Sequence, residues 1–298
     1  MKIVITGSGG RLGAALFRQY GKQFTVTGFS HADLDLSDFS NLRQALGHLD
    51  FNLLINAAAF TNVDLAEKEP DQAFRVNAEA PGVLAEICSE KGARLVHIST
   101  DYVFAGDKND PYTEEDSPKP ISAYGESKLA GETAVLQVND KHLVVRVSWV
   151  FGPDRPSFID QIIARAREND RVSAVADKLS TPTYTRDIAD MLLRVVGAAG
   201  LLHIANSGQA SWQEYAQHAL DCCVEAGLPL KARKVEPLKM ADMQNWVARR
   251  PPYTVLGTGK YEQITGAKPR HWQDAVGEYV RELAGRQGAA ASQPPISP

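Results

Sequence analysis

The sequence predicts an α/β fold built on a doubly wound parallel sheet, with a smaller lobe after it. Three observations carry this. Short apolar, β-branched runs alternate with helical stretches over residues 1–150, the pattern of successive strand–helix–strand units. The first run ends in a glycine-rich turn that leads straight into a helix. Past residue 150 the alternation loosens into helices separated by short extended pieces.

Residues 2–6 form a short β-branched run, a buried strand. Gly7-Ser8-Gly9-Gly10-Arg11-Leu12-Gly13 follows, and residues 14–20 read as a helix. A glycine turn between strand and helix lets a pyrophosphate approach the amides at a helix N-terminus. The spacing, Gly7-x-x-Gly10-x-x-Gly13, differs from G-x-G-x-x-G, although Gly9 partly fills that pattern. The position at the first strand points to dinucleotide binding, and so to a Rossmann-type sheet. The second strand, 24–29, ends in Phe29-Ser30-His31 without an acid. An acid there would hold the ribose of NAD. Its absence leans the reading to NADPH over NADH, with Ser30, His31 or Arg11 as contacts of the extra phosphate. Asp33-Leu34-Asp35-Leu36 could run across the adenine.

The third strand, 53–56, is followed by Ala57-Ala58-Ala59, small enough for a flat cofactor to lie against the backbone. Residues 60–64 read as a loop on the same edge, and 70–91 as one long helix holding Asn77. The fourth strand, 94–98, ends in Ser99-Thr100-Asp101-Tyr102-Val103-Phe104, hydroxyls that could polarise a carbonyl. Helix 123–135 opens with Tyr124-Gly125-Glu126-Ser127-Lys128. Positions four apart share a helix face. A cation beside the phenol would lower a tyrosine pKa from about 10 and make it a proton donor near neutral pH. Strand 143–148 runs into Trp149-Val150-Phe151-Gly152. Right-handed crossovers place all these strand ends on one edge.

In the second half, helices are expected at 158–169, 187–196, 212–225 and 272–284, strands at 173–176 and 201–205, and a turn at 179–184. Ser211 suits an N-cap. Arg249-Arg250-Pro251-Pro252 could grip a diphosphate or be a solvated loop. The domain reading is 1–150 for the dinucleotide, with 187–205 returning to it, 151–186 and 206–285 for the substrate, and 286–298 a disordered tail.

The 298 residues carry a net charge of −4 with both signs interspersed, which excludes a broad nucleic-acid surface. The three cysteines, Cys88, Cys222 and Cys223, suggest neither disulfides nor a metal motif and fit a reducing cytoplasm. No apolar run approaches a membrane span, and Met1 leaves no room for a signal peptide before the first strand.

Taken together, the glycine loop, Asn56-Ala57-Ala58-Ala59, Ser99 to Phe104 and Tyr124-x-x-x-Lys128 resemble the extended short-chain dehydrogenases/reductases. Thr61-x-Val63-Asp64-x-Ala66-Glu67, Arg146-x-Ser148-Trp149-Val150-Phe151-Gly152, Thr181-Pro182-Thr183 and Ala248-Arg249-Arg250-Pro251 are similar to the dTDP-4-dehydrorhamnose reductases within them. The resemblance runs over residues 1–283 and misses only the tail. It implies NAD(P)H-dependent reduction of the 4-keto group of dTDP-4-dehydro-L-rhamnose, giving dTDP-L-rhamnose for cell-surface polysaccharide. It implies Thr100, Tyr124 and Lys128 as the catalytic set. Gly7, Gly10, Arg11, Leu12, Gly13, Ser30, Asp35, Leu36, Ala57, Ala58 and Ala59 would hold the cofactor with Tyr124 and Lys128. Thr61, Val63, Asp101, Tyr102, Trp149 and Arg249 would meet the nucleotide sugar. Some members hold Mg²⁺ at a dimer interface through glutamates, one directly after the glycine loop. Here that stretch is Ala14-Ala15, so no metal is expected, and the chain is expected as a monomer or homodimer. Another nucleotide-sugar reductase or epimerase of the same build, or a cofactor-binding regulatory subunit without turnover, remains open.

Overall fold

The structure is a computed structural model and describes residues 1–291. Six parallel strands form the central sheet. They are β1 (Lys2–Thr6), β2 (Thr25–Phe29), β3 (Leu53–Asn56), β4 (Arg94–Thr100), β5 (Leu143–Val147) and β10 (Gly200–His203), in the spatial order β10-β5-β4-β3-β1-β2. Successive side chains of a strand point to opposite faces, and both faces here are covered. Ile3, Ile5, Leu53, Ile55, Val96 and Ile98 pack under α1 (Arg11–Tyr20) and α8 (Thr185–Val195). Val4, Leu54, Leu95 and Val144 pack under α2 (Phe39–Gly47) and α5 (Ala80–Glu90). The doubly wound parallel sheet expected from the sequence is therefore present. Winding reverses between β1 and β3, and in open parallel sheets the crevice outside the strands' carboxyl ends at such a reversal is where ligands bind.

A second apolar cluster lies outside the sheet. Phe151, Ile159, Ile162, Tyr184, Tyr215, Leu220 and Val276 build it, from β6 (Val150–Phe151), α7 (Phe158–Glu168), β9 (Thr183–Tyr184), α9 (Trp212–Glu225) and α11 (Trp272–Ala291). Ser211 caps α9 by accepting from the Glu214 amide at 3.1 Å, and the Ser211 amide donates to the Glu214 carboxylate at 2.7 Å, a reciprocal capping box.

Three local expectations are corrected. The loop expected over 60–64 ends in a helix, α3 (Val63–Lys68), because Asn62 accepts from the Leu65 amide at 3.0 Å and Asp64 sits in the first turn. The long helix at 70–91 is broken. A π-helical turn, Arg75–Glu79, separates α4 (Pro70–Phe74) from α5. Such turns accommodate an extra residue where something must pack closely, and α6 (Ala123–Val138) does so here. A Cβ on its Gly131 would stand 2.0 Å from the Asn77 carbonyl oxygen. Lastly, α11 continues to Ala291, into the stretch expected to be disordered from 286, since Arg, Gln and Ala sustain a helix. Residues 292–298 lie outside the described residues.

Gly131→Ala gains about 1 kcal/mol of helix propensity. The backbone carbonyl it meets cannot swing aside, so overpacking wins. The variant should lose about 1–2 kcal/mol net, measured by urea unfolding. An unchanged midpoint would refute the close approach of α6 to the π-helical turn.

Candidate active site

The carboxyl ends of β1 to β5 open into one cleft of about 1330 Å³. A single small-ligand site spans about 300–1,000 Å³, so this cleft has room for a dinucleotide and a second ligand. Gly7, Gly10, Arg11 and Leu12 line it from the first turn, and Ser30, Asp35 and Leu36 from beyond β2. Ala57, Ala58, Ala59, Thr61 and Val63 line it from beyond β3, and Thr100, Asp101 and Tyr102 from beyond β4. Tyr124 and Trp149 complete the wall. Three expected residues are not on it. Gly13 and Lys128 are buried, and Arg249 is exposed elsewhere.

At one end the glycines bring backbone against backbone. Gly7 has φ +76°, and a Cβ on it would fall 2.6 Å from the Ala58 amide nitrogen. A Cβ on Gly13 would fall 2.1 Å from the Gly7 carbonyl oxygen. The N-cap of α1 is Gly10, which offers no side-chain acceptor, and the first turn holds no acid. Amides of a first turn lack partners inside the helix, and the helix dipole favours an anion there. This turn and the small Ala57 to Ala59 shelf fit the pyrophosphate and the flat rings of a dinucleotide.

Ser30, His31 and Arg11, the alternative contacts expected for the extra phosphate, all line the cleft. Arg11 lines the cleft, but its guanidinium donates to the carbonyls of Arg155 (3.2 Å), Val150 (3.2 Å) and Pro156 (2.5 Å). Ser30 faces the cleft while its amide and hydroxyl donate to Asp33 at 2.8 and 2.6 Å. Asp35 accepts from the amide and hydroxyl of Ser37, both at 2.9 Å, which holds its carboxylate below the usual range.

The residues expected to be catalytic gather where β4 ends. Ser122 caps α6 by accepting from the Gly125 amide at 3.2 Å. Gly125 is needed there, because a Cβ would stand 2.4 Å from the Tyr102 carbonyl oxygen. Tyr124 is half-buried, with its ring edge-on to Tyr102 at 5.7 Å. Desolvation pushes its phenol up to about 12, against the lowering influence of the neighbouring Thr100 hydroxyl. The expectation that Lys128 lies against this phenol and lowers its pKa is therefore corrected. The Lys128 ammonium donates instead to the Ile98 carbonyl at 2.7 Å and sits 3.3 Å from His97 Nε2. Burial drives both neighbours toward their neutral forms. His97 is held well below its ordinary value, and Lys128 is pushed down to about 8 against the pull of Glu132.

At the other end, Trp149 has φ +40°, an uncommon backbone for a large residue. It stacks on Trp212 at 5.3 Å and meets Tyr215 edge-on at 4.8 Å. Lys178 lies 5.0 Å over the Tyr102 ring and donates to the Pro251 carbonyl at 2.6 Å. The two-arginine diphosphate grip is not formed. Arg250 pairs with both Asp64 oxygens at 2.7 Å, and Arg249 is exposed and does not line the cleft.

A model of the RmlD substrate binding domain matches residues 1–284. The chain belongs to this family. It is 37% identical over 290 residues to the dTDP-4-dehydrorhamnose reductase of Mycolicibacterium smegmatis, covering 95% of this chain and 86% of that one. It is 34% identical over 283 residues to the spore coat polysaccharide biosynthesis protein SpsK of Bacillus subtilis, covering 94% and 97%. Among solved structures, the dTDP-4-dehydrorhamnose reductase of Clostridium acetobutylicum superposes with a TM-score of 0.89 at 34% identity, over 95% of this chain and 99% of that one. The Bacillus anthracis reductase, solved in complex with NADP, superposes at 0.87 and 31%, over 94% and 99%. The expected class, a nicotinamide-dependent oxidoreductase of polysaccharide biosynthesis, agrees with these relatives of the RmlD family.

Sequence reasoning missed several wall residues, among them Phe60, Gln72, Val147 and Arg155. Phe60 had a signal, since it follows the alanine shelf directly. Arg155 had none in its local sequence. Among the described residues, no group of three or more His, Cys, Asp or Glu could hold a metal, and no helix is long and apolar enough to cross a membrane.

Lys128 should release its proton with a midpoint near pH 8, ammonium below and amine above, in ¹³C NMR of protein labelled at the lysine ε-carbon. Lys128→Arg identifies the resonance. A midpoint near the ordinary lysine value would refute the buried, desolvated placement.

Proposed function

We propose that the chain reduces the 4-keto group of dTDP-4-dehydro-L-rhamnose to dTDP-L-rhamnose with NADPH or NADH, Tyr124 being the proton donor. The observation that carries this reading is that Tyr124 and Thr100 share the wall of the cleft that begins at the glycine loop. A bound nicotinamide supplies the hydride for the keto carbon. Tyr124, with its pKa near 12, keeps its proton through neutral pH and has it to give. A keto oxygen seated between Tyr124 and Thr100 accepts from the phenol, and from Thr100 once that hydroxyl's single proton turns from Asp101 to it, and as negative charge grows on it the phenol proton crosses. Lys128 acts from behind the wall, its charge one helical turn below the phenolate that this transfer leaves. Thr61, Val63, Asp101, Tyr102 and Trp149 line the remaining wall and suit the sugar. Residues 151–186 and 206–285 form the substrate lobe in this reading, and the sheet with 187–205 holds the cofactor.

Tyr124→Phe removes general acid assistance, worth about 10²–10⁴-fold, so kcat should fall by that factor while NADPH still binds. Unchanged turnover would remove the assignment. Wild-type enzyme should oxidise one NADPH per dTDP-4-dehydro-L-rhamnose. Conversion without net oxidation would indicate an epimerase, and cofactor binding without turnover on any keto sugar would indicate a regulatory subunit.

A further inference from the structure

Arg155 stands at the adenosine end of the cleft without a task. It follows β6, in a segment held against the glycine loop from both sides. Arg11 grips the carbonyls of that segment, and Arg18 pairs with its Asp154. In return Arg155 Nε donates to the Gly9 carbonyl at 2.8 Å. That bond fixes the guanidinium and leaves its two terminal nitrogens without a hydrogen bond among the described residues. Arg155 also forms no ion pair among them. The other cations of this corner are committed.

Its place is defined by the missing side chain of Gly9. A Cβ there would stand 3.3 Å from Ser30 Cβ and 3.9 Å from Arg155 Nη2. The guanidinium thus hangs over Gly9 facing Ser30, the residue after β2. In a doubly wound dinucleotide site, the acid that holds the adenosine ribose hydroxyls sits there. Here the position is a hydroxyl, the nearby Asp33 is turned onto it, and a cation with free paired donors lies opposite. Free paired N–H groups of arginine match a phosphate. Any larger residue at position 9 would fill the space between them.

We propose that Arg155 selects the phosphorylated cofactor, its terminal nitrogens closing over Gly9 onto the adenosine 2′-phosphate beside Ser30. This rests on the cofactor reading above but not on the catalytic one. Arg155 is exposed, so replacing it leaves the fold intact, and cofactor-free thermal midpoints check this.

The test measures binding without substrate. Dissociation constants of NADPH and NADH are read from nicotinamide fluorescence for wild type, Arg155→Ala and Arg155→Lys, with adenosine 2′,5′-bisphosphate and AMP as competitors. A hydrogen-bonded charge pair is worth about 10–100-fold. Arg155→Ala should lose that factor for NADPH and for the bisphosphate, and less than about 3-fold for NADH and AMP. Arg155→Lys should recover part of the loss, keeping the charge without the fork. Equal losses for NADPH and NADH would place the arginine on the shared pyrophosphate and overturn the proposal. No loss for either would leave it a tie for the 150–156 segment, which also overturns it. Because Tyr124→Phe is expected to keep cofactor binding, failure of the catalytic reading and failure of this one give different results.

Discussion

The turn after β1 touches the end of β3 with no side chain between them, and the cleft depends on that contact. The spaces that Gly7 and Gly13 leave are already filled by the backbone of Ala58 and of Gly7 itself. A methyl group at either point would force the turn away from its neighbours. The first amides of α1 would then no longer face the Ala57 to Ala59 shelf. Gly10 and Gly9 meet less crowded surroundings, and their lack of side chains keeps the approach open. So the same short run does two jobs. Two of its glycines lock the turn to the sheet, and two clear the path to it.

In the corner proposed as catalytic, desolvation dominates. Thr100, Tyr124, His97 and Lys128 sit at or beneath the end of β4, and their surroundings favour neutral forms. The tyrosine is held as a phenol and the lysine loses much of its hold on a proton. The nearest strong compensation is Glu132, one turn further along α6, but Arg146 already grips that carboxylate at 2.8 and 2.6 Å. Buried charge is tolerated here because it is paired beneath the site, not at its surface. The phenol and the ammonium therefore share one helix face without a direct bond.

The parts of this site that were legible in the sequence are those that local chain direction fixes. Strands buried on both faces read as continuous apolar runs, and crossovers of one hand bring their ends to one edge. The glycine turn, the alanine shelf, Thr100 and Tyr124 follow from that alone. What stayed hidden is set by contacts between distant segments. Arg155 reaches Gly9 across 146 positions, and Arg250 reaches Asp64 across 186. Arg250 therefore looked free to hold a diphosphate and is not. The direction of Lys128 was hidden for a related reason. Helical spacing gives the face it shares with Tyr124, but the carbonyl that captures its ammonium belongs to β4.

Asp101 joins these two scales. Its side chain accepts from Thr100 at 3.1 Å, Ser148 at 2.9 Å and Ser180 at 3.0 Å, and Ser180 in turn accepts from Thr254 at 3.1 Å. One buried carboxylate therefore ties the Thr100 hydroxyl, which shares the cleft wall with Tyr124, to the end of β5 and to two segments far along the chain. Stranding a buried hydroxyl costs about 1–3 kcal/mol, so these donors hold one another in place as a set. A shift of the 179–184 segment relative to the sheet would be felt first at Thr100. Under the proposed reaction, the wall that suits the sugar and the threonine beside the proton donor are one hydrogen-bonded unit, so the fit of the substrate and the aim of the chemistry become a single geometric condition.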